Sequence, residues 1–329
     1  MRRREFIKVI GGLVVGWPLA ARAQQAERVR RIGVLMPIAA DDPEGKARLT
    51  AFQQDLAQLG WTGGRNVRIE TRWSRGNADE TRKYAAELVA LAPDVILAIG
   101  NVTLAPLIEV TRTVPIVFTA VIDPVGAGFV ETLSRPGGNV TGFMMFEYSL
   151  SGKWLELLRE IAPQVTRAGV LREPASTAGI GQFAVIQAVA PSLGIEVSAM
   201  NARDAGQIER AITEFARTGN GGLIVTASPG AVVYRRQIIN LALRYKIPAV
   251  YTGATFVADG GLISYGPNLV EQTGQAALYV DRIFKGEKPA NLPVQAPTKY
   301  ELVINLKTAK TLGLTVPSSL LARADQMID

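Results

Sequence analysis

Three short words recur in order along the chain at almost one spacing. Arg31-Ile32-Gly33-Val34-Leu35 returns as Arg167-Ala168-Gly169-Val170-Leu171, an offset of 136. Gln58-Leu59-Gly60 returns as Ser192-Leu193-Gly194, an offset of 134. Val114-Pro115-Ile116-Val117-Phe118-Thr119 returns as Ile247-Pro248-Ala249-Val250-Tyr251-Thr252, an offset of 133. One such match could be chance, because Ile-Pro before a strand is common in α/β chains. Three in order at nearly one offset mean that the chain builds the same half twice.

The words sit on a strand–helix alternation that starts at residue 29. In the first half, apolar or alternating runs predict strands over 31–37, 67–72, 94–99, 116–120 and 140–144. Apolar residues at helical spacing predict helices over 47–59, 80–91, 104–111 and 128–134. The first of these carries Leu49, Phe52, Leu56 and Leu59 on one stripe and is stopped by Gly60. Continuously apolar strands separated by helices form βαβ units on a parallel sheet covered on both faces. The expected fold class is therefore α/β: two similar doubly wound parallel-sheet lobes joined by a hinge. At 329 residues the chain can give each lobe its own core. Lobe 1 is expected over 29–143 plus about 268–292, and lobe 2 over 144–267 plus about 293–329, with Tyr265-Gly266-Pro267 at a hinge crossing. The facing strand ends of two such lobes make a ligand cleft.

Residues 1–23 read as an export signal. Arg2-Arg3-Arg4-Glu5-Phe6-Ile7-Lys8 leads into an apolar run over 9–21, and Ala21-Arg22-Ala23 supplies the small residues a signal peptidase needs. That run of 13 residues is shorter than the ~20 a membrane-crossing helix requires, and it holds Gly11, Gly12, Gly16 and Pro18. Arg3-Arg4 followed by Phe6-Ile7-Lys8 is similar to a twin-arginine signal. The mature chain is expected to begin near Gln24 in the periplasm, after cleavage at Ala23.

Charge and composition remove several function classes. Five of the 36 Lys/Arg and one of the 29 Asp/Glu lie in residues 1–23, leaving 31 against 28. That small, spread excess argues against a nucleic-acid partner. The chain has no cysteine, so no lipid attachment at a signal cleavage site and no disulfide framework are expected. It has no histidine either, which removes Ser-His-Asp and Cys-His catalysis and imidazole metal sites. Gly126-Ala127-Gly128 opens like a dinucleotide fingerprint, but position 131 is Glu131 and the word follows a late strand. No phosphate-binding loop of the ATPase type is present. No cofactor, metal or catalytic group is expected.

Longer words carry a family resemblance. They are Asp123-Pro124-Val125, Ser134-Arg135-Pro136-Gly137-Gly138-Asn139-Val140-Thr141-Gly142, Gly260-Gly261-Leu262-Ile263-Ser264-Tyr265-Gly266-Pro267, and Ile304-Asn305-Leu306-Lys307-Thr308-Ala309-Lys310-Thr311-Leu312-Gly313-Leu314. With them the chain resembles, from Arg31 to its C-terminus, the ABC transporter substrate-binding proteins that include tryptophan- and tyrosine-binding members. The resemblance implies the type I periplasmic binding protein fold, no enzymatic activity, and a permease and an ATPase as partners. It implies a monomer whose lobes close over a small ligand. The chain departs from the family's amino-acid binders at one loop. They carry an Asp-Asn-Thr-like turn after the third strand of lobe 2, where this chain reads Ala227-Ser228-Pro229-Gly230. Without an acidic group there, an aromatic or short organic acid is expected ahead of an amino acid.

Candidate ligand contacts follow from the strand ends. Gly100-Asn101-Val102-Thr103 opens a helix whose free N–H groups suit a carboxylate, although Asn101 or Thr103 would equally serve as a plain cap. Thr119 and Ala120 end the next strand and offer backbone groups. Asp123 either accepts from a ligand or caps its own turn. Ser228 stands at the equivalent loop of lobe 2. Tyr251, with Phe146 as its partner, is expected to stack on a planar ligand, with core packing as the alternative. An enzyme would need converging titratable groups, and the cleft loops offer only Asp41, Asp42, Asp123 and Glu173. A sugar-type repressor would need a DNA-binding motif before residue 30, where the export signal lies instead. An exported ligand-sensing partner of a receptor kinase stays open beside transport.

Overall fold

A computed structural model describes residues 29–174 and 177–329; the expected export signal lies outside the described residues. The first half runs β1 (Arg30–Met36), α1 (Pro43–Gln58), β2 (Val67–Trp73), α2 (Ala78–Ala90), β3 (Val95–Ile99), α3 (Asn101–Val110), β4 (Ile116–Val121) and β5 (Val140–Met144). The chain then continues through α4 (Ser151–Ile161), β6 (Arg167–Arg172), α5 (Thr177–Leu193), β7 (Glu196–Asn201), α6 (Ala205–Phe215), β8 (Gly221–Val225), α7 (Pro229–Val233), α8 (Arg235–Arg244), β9 (Ala249–Tyr251), α9 (Ala254–Ala258) and β10 (Ile263–Gly266). Last come α10 (Leu269–Phe284), β11 (Glu301–Asn305), α11 (Leu306–Thr311), α12 (Ser318–Arg323) and β12 (Gln326–Ile328).

The repeat read from the words is a repeat of topology. Among the described residues, one sheet has the order β2-β1-β3-β4-β5, and the other has β7-β6-β8-β9-β10 extended by β11 and β12. Two of the recurring words fall on the first strands (β1 and β6) and the fourth strands (β4 and β9) of the two sheets, and the third falls at the C-terminal ends of α1 and α5. Alternate residues of β1 face opposite cores: Ile32, Val34 and Met36 pack on one side and Leu35 on the other. Pairing is parallel throughout, except that β11 runs antiparallel to β10.

The helix after the fifth strand of each lobe belongs to the other lobe. Trp154, Leu155 and Leu158 of α4 join Val170, Ile224 and Val250 in one core, while Ala276, Ala277 and Val280 of α10 join Ile32, Val34 and Val117 in another. This exchange makes the chain cross after β5, after β10 and again before β11. Local capping sets where helices begin. Asp42 accepts the Glu44 N–H with Pro43 at the first helical position, so α1 starts four residues ahead of the expected start at 47.

One expected helix is absent. Residues 124–128 form turns, and no regular helix follows. Asp123 has φ +45° and Gly128 φ +71°, and Pro124 removes a donor, so the backbone cannot continue as a helix.

Candidate functional site

A cavity of about 860 Å³, its mouth included, lies where the strand ends of the two sheets face each other. Pro37, Ile38, Ile99 and Val102 form much of the lobe 1 wall; Ala227, Pro229, Val232 and Phe256 form much of the lobe 2 wall. It sits at the switch point of the first sheet, where the chain leaves β1 and β3 for opposite directions.

The α3 entrance is built for an acceptor. Gly100, at φ +81°, precedes the first turn, and its own N–H is spent on Thr119 O at 2.8 Å. The Asn101 and Val102 N–H groups begin the helix and have no acceptor among the described residues. The Asn101 side chain is engaged elsewhere. Its Oδ1 accepts the Ile122 N–H and its Nδ2 donates to Ile122 O, both at 2.9 Å. Thr103 lines no part of the cavity; it is buried, with Oγ1 donating to Ile99 O at 2.9 Å.

The other expected contacts divide. Ala120 reaches the cavity and has φ +56°, a conformation alanine adopts at a cost. Gln272 holds it there: Oε1 accepts the Ala120 N–H and Nε2 donates to Met144 O, each at 2.9 Å. Thr119 is buried and turned to Thr273, its hydroxyl 3.5 Å away. Asp123 caps its own turn by accepting the Gly126 N–H at 2.9 Å, and is not part of the wall. Ser228 lines the cavity, but its Oγ caps α7 by accepting the Ala231 N–H at 3.1 Å.

Tyr251 is placed in the core instead of the cleft. It is 1% exposed and stacks on Phe256, centroids 5.0 Å apart and planes at 19°. Burial pushes its hydroxyl pKa far above the ordinary value. A strand covered on both faces has no free side for such a ring. Phe256 is the aromatic that meets the cavity. Phe146 is likewise buried, edge-on to Trp154 at 5.4 Å.

Two charged residues that the strand-end logic missed stand in the wall. Glu44 and Arg48, one turn apart on α1, are ion-paired with side chains 9% and 7% exposed. The cleft thus contains an acid, although the 227–230 loop has none. A charged residue one helical turn ahead of an apolar stripe, Arg48 before Phe52, was the available clue.

The lobes are also tied directly. Arg235 of α8 donates to Asp42 across the cleft at 2.7 Å and to Asp259 in its own lobe at 2.6 Å. Burial alone would lower the Arg235 pKa, but these two carboxylates raise it above its ordinary value.

The family model described as ABC transporter substrate binding protein matches residues 31–328. A tyrosine-binding protein of Clostridioides difficile is 25% identical over 264 residues, 80% of this chain and 75% of that protein. An ABC domain from Streptococcus pneumonia, solved in complex with L-Trp, is 26% identical, with TM-score 0.84 over 91% of this chain and 99% of that one. The ligand-free, open structure of a substrate binding protein with adhesive properties from Clostridium difficile is 25% identical, with TM-score 0.67 over the same shares. The two neighbours hardly differ in identity or coverage. The Asp42–Arg235 bond holds the two walls of the cleft together in this arrangement.

Proposed function

The chain belongs to the ABC transporter substrate binding protein family, and from that premise we propose that it is the periplasmic solute-binding component of an ABC importer. It captures a small organic molecule between its lobes and hands it to a permease driven by an ATPase. The observation that carries this reading is the cavity itself, walled by both lobes and largely apolar. The only ionisable side chains in that wall, among the described residues, are Glu44 and Arg48, which neutralise each other. That is a surface for holding a molecule rather than for moving protons.

The ligand joins a carboxylate to an apolar, aromatic body. The N–H groups at the start of α3 and the ring of Phe256 support the two parts. Glu44 removes the argument against an amino group, and tyrosine and L-Trp, bound by the relatives, fit the same outline. The mature protein works as a diffusible monomer in the periplasm, exported by the signal in residues 1–23.

The test is an uptake assay. A compound retained by protein purified from the periplasm is identified by mass spectrometry and offered, labelled, to cells lacking this chain. Wild-type protein restores uptake and Val102→Trp, which fills the cleft, does not. Uptake that is normal without the chain would point to sensing instead.

A further inference from the structure

Arg48 is a buried cation whose hydrogen bonding is incomplete. It is 6% exposed, and its Nη2 donates to Glu44 Oε1. Nε is buried without an acceptor, and Nη1 has no acceptor among the described residues. A guanidinium carries five N–H donors, and burying one of them unmet, as Nε is here, is costly. A purely structural arginine at this depth would be ringed by carbonyls or carboxylates, as Arg235 is by Asp42, Asp259 and the carbonyl of Val232. Arg48 instead lines a cavity whose remaining walls are mostly apolar.

We propose that Arg48, held in place by Glu44, is the anion anchor of the cleft, taking the carboxylate of a ligand whose other surface is apolar. This rests on reading the cleft as the ligand site. Glu44 fixes the guanidinium from one turn earlier on α1 and leaves the pair neutral. The pair plus one carboxylate therefore carries a single negative charge, which the start of α3, in the same lobe 1 wall, can share. A dianion would place a second negative charge in the same low-dielectric space without a further cation to meet it. Arg48 thus selects both for an anion and against a doubly charged one.

The experiment uses matched probes on the mature protein. Indole-3-acetate, phenylacetate and L-tryptophan are each compared by calorimetry with the corresponding primary amide. At least one acid should bind wild type roughly tenfold or more tightly than its amide, because the amide cannot make the charge-assisted bond. Arg48→Met should erase that preference, and Arg48→Lys should restore part of it. Removing Arg48 alone leaves Glu44 buried without its partner, so Glu44→Gln/Arg48→Met is measured beside it as the variant free of that penalty. The absence of preference for any acid in wild type, non-binding included, overturns the proposal. So does a preference that survives in both Met variants. Binding that persists in Val102→Trp would instead remove the cleft reading, which separates the two failures.

Discussion

Tyr251 and Phe256 share one aromatic stack but do different work. Phe256 lines the cavity, and Tyr251 stacks on it from inside lobe 2. Tyr251→Ala should therefore cost about 3–5 kcal/mol of stability in urea denaturation, the range for emptying an aromatic core site. Tyr251→Phe should leave ligand affinity unchanged in calorimetry. Glu173, which follows β6, is half-buried, and burial raises its pKa, offset in smaller part by Arg203. Below the unfolded carboxylate pKa of about 4.3 it is protonated in both states and costs nothing. As pH rises through its folded value, keeping it ionised in place costs stability. Glu173→Gln should accordingly raise Tm at pH 7–8 and leave it unchanged near pH 4, as read by calorimetric melts. At this scale the sequence was only half informative. The offset that pairs Tyr251 with Phe118 located the strand correctly, but both rings are core, because β4 and β9 are covered on both faces. Glu44 and Arg48 lie on a helix rather than at a strand end, where sheet topology marks no ligand contact.

Two of the long sequence words have a steric reason at the level of elements. A side chain at Gly142 would collide with the backbone of Phe118 on β4, and one at Gly266 with the carbonyl of Thr252. Only glycine allows β5 and the end of β10 to approach so closely. The strands and helices of the first half were legible because burial repeats with the helix and strand periods. The 128–134 segment failed because its backbone conformation, not its apolar content, decides its shape. The antiparallel β11 was illegible, since direction leaves no mark on a strand's composition. Asp42 does two things at once, capping α1 and bonding Arg235 across the cleft. Asn is as good a cap, so Asp42→Asn isolates the cross-lobe bond. That variant should keep the Tm of the unliganded protein and weaken ligand binding by about tenfold, because the closed, liganded arrangement loses a bond between its lobes.

The whole molecule is two copies of one topology that exchange their last helices, and this exchange is why three chain segments join the lobes. Two lobes held by few connections have an angle between them as their softest coordinate. The offsets among the words revealed the two lobes and their common strand order. They carried nothing about the helix exchange, which depends on where the chain goes after each fifth strand. No helix among the described residues is long and apolar enough to cross a membrane. Intact mass of the exported protein should correspond to a chain starting near Gln24, and retention of residues 1–23 would contradict the export reading. The central claim is that the lobes close over a small ligand, and small-angle scattering with and without the compound retained from the periplasm tests it most directly. A smaller radius of gyration is expected at saturation. An identical curve in both states, with binding verified by calorimetry on the same sample, would contradict it.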